Sequence, residues 1–365
     1  RGFMTDLEKK ICENLNVKYG VFTGNGTTAM YLVFKALNLQ DKKVIFPAIS
    51  CTNPVNAATF AGYEVEFCDI QLKDYTIDVT LLEKMLCTGE YGIVVPTHIY
   101  GHRYNENQIR QLCRKYNVVL FEDAAQSYYV GDMDVSIMSF GHTKVCETPL
   151  GGGIALTNDS YLAESIRIEK QKLQETQKLH KSGAQLFDEY RKQYYKIVEE
   201  NTDWKVRNRK LCELQMNSEK YFIFDLQDNG KIEDKIGQVN QVVDLRRKKT
   251  EIYQIFLSFL YLIVSISTYF HPVLSSILCC TIVWFLYNGN RDVLLKEARK
   301  QGIDISSWYY SLAGIYKNQH LPNADILERK VVNLWIDETH TIEQIEREID
   351  ILNKIMEADY AKRKY

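Results

Sequence analysis

Ser139-Phe140-Gly141-His142-Thr143-Lys144-Val145-Cys146-Glu147-Thr148-Pro149-Leu150-Gly151-Gly152-Gly153-Ile154-Ala155-Leu156-Thr157 decides how the rest of this chain reads. Val135 to Phe140 reads as the end of a buried strand. The chain then turns through small and polar residues, places one lysine, and passes the glycines Gly151, Gly152 and Gly153 into a second strand, Ile154 to Thr157. A lysine on a tight loop between core strands has shed much of its water, so its neutral amine becomes accessible at physiological pH. A lysine that forms a Schiff base needs this property. Standing alone, Lys144 also reads as an ordinary loop cap.

Working outward, Asn117-Val118-Val119-Leu120-Phe121-Glu122-Asp123-Ala124-Ala125-Gln126-Ser127 is a run of strand formers that ends in acids and small residues. Ligands of open α/β sheets bind beyond the carboxyl ends of the strands, and Asp123 stands at such an end. Pyridoxal phosphate requires a carboxylate opposite its ring nitrogen, so that the protonated ring acts as an electron sink. One strand separates Asp123 from Lys144, which lets the two approach one cofactor from neighbouring strands. Near the start, Tyr19 to Thr23 reads as a strand that turns through Gly24-Asn25-Gly26-Thr27-Thr28 into a helix, about Ala29 to Leu37. Free backbone N–H groups and the positive end of a helix dipole meet there, making a phosphate site to which Thr27 and Thr28 can add hydroxyls. An ordinary capped turn is the alternative.

These residues resemble the DegT/DnrJ/EryC1/StrS family of sugar aminotransferases. The resemblance rests on Glu122-Asp123-Ala124-Ala125-Gln126 and on Ser139-Phe140 followed by Lys144. Gly26-Thr27-Thr28-Ala29, Pro47 with Ser50, Gly62 with Phe67, Asp69 and Ile70, and Pro96-Thr97-His98-Ile99-Tyr100-Gly101 add to it. It implies an α/β fold-type I pyridoxal-phosphate transferase. A large domain (1–245) with a mostly parallel seven-stranded sheet would be joined to a smaller C-terminal α+β domain (246–365), with residues 181–235 divergent. It further implies Lys144 as the Schiff-base lysine and Asp123 on the ring nitrogen. Gln126 would meet the ring hydroxyl, and Gly26, Thr27 and Ser139 the phosphate. Glutamate would be the amino donor, a nucleotide-linked keto-sugar the acceptor, and the assembly a homodimer. The products would serve surface polysaccharide or secondary-metabolite sugar synthesis.

Two departures are visible. Where similar enzymes place an aromatic residue to stack on the cofactor ring, this chain has Cys51, a thinner contact. The family's Gly-x-Asn-x-Arg motif, which reaches the neighbouring subunit's phosphate site, would fall on Leu226 and Asp228. It is absent or rebuilt through Asn229 and Lys231. His98, just past a strand end, and His142, close to Lys144, are candidates for substrate contact; each also reads as a structural histidine. Two other functions compete with the transaminase. One is a related pyridoxal-phosphate sugar dehydratase, although such enzymes replace the lysine with histidine. The other is a catalytically silent, membrane-associated binding protein.

Composition narrows the classes. The chain has 365 residues, a formal charge of −2 and nine cysteines. Near-balanced charge disfavours a nucleic-acid partner. Scattered cysteines with no Cys-x-x-Cys pair suit free thiols in a reducing cytosol, and no metal-ligand cluster stands out. The opening Arg1-Gly2-Phe3-Met4 carries no secretory leader and reads as the start of a fragment or processed chain. Residues 159 to 200 read as solvated or partner-facing helix, and 201 to 235 as polar and irregular. Residues 252 to 290 carry no Asp, Glu, Lys or Arg. Interrupted by serines and Pro272, this stretch is too short for a favoured membrane span. It is read instead as a buried helix (Ile252 to Tyr269) and a core strand (Ile277 to Tyr287). Helices follow from Arg291 to Gly302 and from Ile342 to Tyr360.

Overall fold

The spacing of Leu7, Ile11 and Leu15 predicts a helix from residue 5. In the computed structural model, which describes residues 4–176, 183–225, 231–264 and 282–363, that helix is α1 (Asp6–Leu15). Its start is a capping box. Thr5 Oγ1 accepts from the Glu8 amide (3.2 Å), and the Glu8 carboxylate accepts from the Thr5 amide (2.8 Å).

The chain then alternates β1 (Tyr19–Thr23), α2 (Gly26–Leu37), β2 (Lys43–Pro47), α3 (Thr52–Phe60), β3 (Val65–Cys68), α4 (Val79–Leu86), β4 (Tyr91–Val94), α5 (Glu106–Tyr116) and β5 (Val119–Asp123). It continues with β6 (Val135–Ser139), β7 (Gly153–Thr157) and α6 (Ser160–Thr176). The seven strands form one sheet in the order β1-β7-β6-β5-β4-β2-β3. Pairs from β3 through β6 are parallel, while β7 runs antiparallel to both β6 and β1. Consecutive Val44, Ile45 and Phe46 are all buried, so both faces of the sheet are covered. Phe34 of α2 packs edge-on against Phe121 of β5 (5.1 Å between centroids) and Phe46 of β2 (6.4 Å). This packing anchors α2 over the sheet and aims its N-terminus at the carboxyl ends of the central strands.

The middle of the chain departs from the sequence reading. Residues 183 to 222 form α7 (Gly183–Glu200), α8 (Trp204–Met216) and α9 (Glu219–Phe222), so much of 201–235 is helical. Nor is α7 solvated all round. Phe187, Tyr190 and Tyr194 recur at helical spacing, and Tyr190 is buried against Tyr221 and Phe222. Phenolic side chains supply the inward face that a count of aliphatic residues misses. The next helix, α10 (Lys231–Val264), runs unbroken through residues 245 and 246, where the sequence suggests a domain boundary. The expected helix from Ile252 is therefore the end of α10. It is not buried throughout, since Tyr253 is inside but Ile255 is 75 % exposed. A helix turns its residues through every direction, so absence of charge does not bury each of them. Residues 265–281, which include part of that helix and of the strand expected from Ile277, lie outside the described residues. Among the described residues, no helix is long and apolar enough to cross a membrane.

Beyond them come β8 (Ile282–Leu286), α11 (Arg291–Lys300), β9 (Ile305–Ser306), α12 (Leu312–Lys317), α13 (Pro322–Lys330), β10 (Val331–Trp335) and α14 (Ile342–Arg363). The strands form an antiparallel sheet, β8-β10-β9, against which α11 and α14 pack. Hydrogen bonds among the described residues help dock this unit onto the large sheet. Asp69 accepts from the amides of Asn323 (3.0 Å) and Ala324 (2.9 Å), capping the N-terminus of α13. The Leu312 amide donates to the Ala48 carbonyl at 2.8 Å.

Candidate active site

Asp123 ends β5 and is only 2 % exposed. Its carboxylate accepts from the Ala125 amide (3.0 Å) and from Thr97 Oγ1 (3.4 Å), and Thr97 in turn lies 3.4 Å from Ser50 Oγ. Burial holds its proton affinity above the usual carboxylate range; the Ala125 amide, the Lys144 charge, His98 and Thr97 oppose that rise. Neighbouring Glu122 behaves oppositely. Burial alone would raise it, but His98 Nε2 (2.9 Å), Ser136 Oγ (2.7 Å) and Tyr104 OH (2.9 Å) outweigh that and hold it low. Strand alternation explains the pair: adjacent side chains face opposite ways. Glu122 enters a saturated polar network, while Asp123 meets neutral donors.

Lys144 is half-buried on a loop closed by the Thr148 amide on the Phe140 carbonyl (3.0 Å). Within it, Thr143 sits at φ 70°, a left-handed conformation that a β-branched residue rarely adopts. The Thr143 amide donates to Glu147 (2.8 Å), and this bond helps hold the turn. The charges of Lys144 and Asp123 both act on the thiol of Cys51, at the start of α3. Three side chains from three separate segments thus lie within electrostatic reach of one another. Burial pushes the Cys51 thiol up, against the Asn53 amide and the Lys144 charge.

Gly26 opens α2. Asn25 Oδ1 caps the Thr28 amide (2.7 Å), and the amides of Gly26 and Thr27 lie in the first turn, where a helix supplies no internal partner. A Cβ on Gly26 would stand 3.0 Å from Ser139 Cβ and 3.4 Å from its Oγ, so the helix start and Ser139 face one another closely. A Cβ on Gly153 would fall 2.2 Å from the Asn25 carbonyl carbon. Only glycine lets β7 approach the turn this tightly. Thr28 has another task than the one read from sequence. It is fully buried, and its hydroxyl donates to the carbonyls of Phe222 and Phe224, each at 2.9 Å. It is thus committed to the segment after α9 and does not add to an anion cradle.

Gln126 is buried, with Oε1 accepting from the Tyr100 amide (2.9 Å) and Nε2 donating to Tyr309 OH (3.3 Å). The histidines differ in setting. His98 is wholly buried, stacked on Tyr104 at 4.7 Å and held by Glu122, so it backs Asp123 and does not face a mouth. His142 is exposed, and its Nδ1 lies 2.9 Å from Glu147. Leu226, Asp228 and Asn229 lie outside the described residues, and Lys231 opens α10.

Sequence reasoning missed the tyrosines around Cys51. Tyr316 OH donates to the carbonyl of Thr52, the residue after Cys51, at 3.3 Å, and burial pushes the phenols of Tyr190, Tyr194 and Tyr316 up. Tyr190 OH donates to Gln215 Oε1 (2.9 Å) and lies 3.4 Å from Thr52 Oγ1. The only available signal was the tyrosine spacing in α7. These rings supply aromatic surface near the position where Cys51 lacks it. A buried carboxylate served by neutral donors, a lysine charge beside it and a helix N-terminus facing a serine fit an anionic pyridine aldehyde. Among the described residues, no cluster suits a metal ion.

A sequence model of the DegT/DnrJ/EryC1/StrS aminotransferase family matches residues 2–353. The chain is 32% identical over 173 residues to a UDP-4-amino-4,6-dideoxy-N-acetyl-beta-L-altrosamine transaminase of Campylobacter jejuni, covering 45% of this chain and 46% of that protein. It is 29% identical over 175 residues to GDP-perosamine synthase of Caulobacter vibrioides, covering 46% and 47%. The matched stretch is thus about half the length of these curated relatives. The fold resembles a DegT DnrJ EryC1 StrS aminotransferase from Brucella abortus (TM-score 0.74, 18% identity, covering 96% of this chain and 89% of that one). It also resembles NtdA from Bacillus subtilis with bound cofactor PMP (TM-score 0.73, 18% identity, 96% and 76%).

Proposed function

Because the chain belongs to the DegT/DnrJ/EryC1/StrS aminotransferase family, we propose that it transfers an amino group to a keto-sugar carried on a nucleotide. Glutamate is the donor in this reading, and pyridoxal 5'-phosphate the cofactor. The observation that carries it is the buried Asp123 carboxylate at the end of β5, served by neutral donors, beside an α2 N-terminus that closely faces Ser139. The names of the nucleotide-sugar relatives support the acceptor class.

When bound, pyridoxal phosphate supplies the aldehyde that carries the amino group and a ring that takes up the electron pair of the cleaved C–H bond. Asp123 keeps a proton on the ring nitrogen. Lys144 Nζ, freed by the incoming amine, takes the proton from the donor's α-carbon as general base and returns it as general acid. The amides of Gly26 and Thr27 and the Ser139 hydroxyl hold the phosphate. Gln126 would serve the ring hydroxyl, and Cys51, with Tyr190 and Tyr194 nearby, would cover the ring. Of the two histidines, exposed His142 is the one left for substrate. Leu150, 46 % exposed on the Lys144 loop, supports a second copy of the chain covering this edge of the site in a homodimer. The seven described cysteines are free, which suits a reducing cytoplasm.

The test is spectroscopic and chemical. The purified chain is expected to bind pyridoxal phosphate with a visible absorption band, and borohydride is expected to fix the cofactor on the Lys144 peptide. Glutamate should then yield oxoglutarate. Retained amino transfer in Lys144→Ala would reject the roles assigned here; a chain that takes up no cofactor would favour the silent binding protein.

A further inference from the structure

Arg246 of α10 is one of the largest fully buried side chains, 1 % exposed. Its Nη2 donates to the backbone carbonyl of Lys144 (3.3 Å) and to both oxygens of Glu338 (3.1 and 3.0 Å), in the turn after β10. Its charge also reaches Glu147, the residue that holds the Thr143 amide and His142. Lys249, one turn further along α10 and also buried, donates Nζ to the Asp337 carbonyl at 2.5 Å. Two buried cations on one face of α10 therefore grip the turn at 337–338, and one of them grips the Lys144 loop as well.

Burying a guanidinium is costly unless it is paired, and a surface-exposed pair serves stability at far lower cost. The placement of this one makes sense through what it orders. A lysine amine on four methylenes reaches its target reproducibly only if its own Cα is fixed. Within the loop, the Phe140–Thr148 backbone bond closes the turn, Glu147 holds the amide of Thr143, and the Lys144 amide donates to the Gly141 carbonyl at 3.3 Å. Arg246 adds a tie to the Lys144 carbonyl from outside the loop.

We propose that Arg246 is a positioning residue for Lys144: one guanidinium fixes the Lys144 carbonyl and, through Glu338, locks the lysine loop to the C-terminal sheet unit. The proposal rests on Lys144 being the cofactor-bearing lysine.

The experiment compares the full-length chain with Arg246→Lys, Arg246→Gln and Glu338→Gln. Arg167→Gln, which breaks another buried pair (Arg167 with Glu8, 3.0 Å), serves as the structural control. The cofactor-stripped proteins are mixed with pyridoxal phosphate. The rate at which the visible band forms, and the fraction of Lys144 peptide modified after borohydride, are read beside the melting temperature. A lysine side chain is one bond shorter than the reach to Nη2, so its ammonium falls short of the position from which Nη2 holds both Glu338 and the Lys144 carbonyl. Arg246→Lys is therefore expected to fold and to form the band roughly tenfold more slowly, with kcat reduced and KM for the amino donor within about twofold. Glu338→Gln leaves Arg246 on the carbonyl and is expected to slow band formation about threefold. Arg167→Gln should lower the melting temperature and leave the rate unchanged. Wild-type rates in folded Arg246→Lys and Glu338→Gln would overturn the proposal, as would equal slowing in Arg167→Gln. If Arg246→Gln does not fold, the lysine and Glu338 variants decide. A wild-type chain that traps cofactor at Lys144 while all variants match it sinks only this inference. A wild-type chain that traps none sinks the functional reading too.

Discussion

Replacing Asp123 by asparagine separates what this residue costs the fold from what it gives the chemistry. The two side chains have nearly the same shape, so the change removes a charge and leaves packing intact. For activity, a hydrogen bond from a charged partner is worth about 3 kcal/mol at its upper range, roughly 150-fold in rate. We expect kcat to fall about 10²-fold. For stability the sign is opposite. Burial raises the Asp123 pKa above the ordinary 3.8 of an exposed aspartate, so the folded chain binds this proton more tightly than the unfolded chain. Stability is therefore lost as pH rises from 3.8 through the raised folded-state value. In a chain of 365 residues, each kcal/mol relieved by removing the buried charge raises Tm by ~1.3 °C, taking roughly 2.1 cal/mol/K of unfolding entropy per residue. Calorimetry of the cofactor-free variant should show that gain at pH 7 and none below pH 3.8. Steady-state oxoglutarate release gives kcat. A lower Tm at pH 7, or a kcat within threefold of wild type, refutes the assignment of Asp123 as a buried, strained carboxylate waiting for a ring nitrogen.

Gly26→Ala should weaken cofactor retention about tenfold, read by equilibrium dialysis. The new methyl would stand 3.0 Å from Ser139 Cβ, at the point where the phosphate is to sit. Its Tm without cofactor should change by less than that of a core substitution. His340, between Asp337 (3.5 Å) and Glu348 (3.6 Å), has its pKa pushed up to about 9, first by Asp337 and then by Glu348. Its contribution to stability is then complete below pH 6.5 and disappears as pH rises through 9. Denaturant melts of wild type and His340→Gln should converge over that interval; parallel curves would count against the pairing.

The sequence alone placed the candidate site residues along the chain. Asp123 and Lys144 are legible because strand ends and tight loops are local features: a run of strand formers stops, and small residues or glycines follow. The glycine turn at Gly26 is legible for the same reason, since a strand, a glycine turn and a helix start are contiguous. The parallel sheet followed from the alternation of short apolar runs with helices. Folding in three dimensions decided what each side chain meets. Thr28 looked free for an anion, yet Phe222 and Phe224, 194 and 196 residues away, take its hydroxyl. Gln126 meets Tyr309 across 183 residues, and Arg246 meets the Lys144 carbonyl across 102. The tyrosines that stand near Cys51 come from α7 and α12. Periodicity says which face of a helix is buried; it does not say against what. Partner choice over such separations is set by how helices and sheets pack, a property of the whole chain that no single segment encodes.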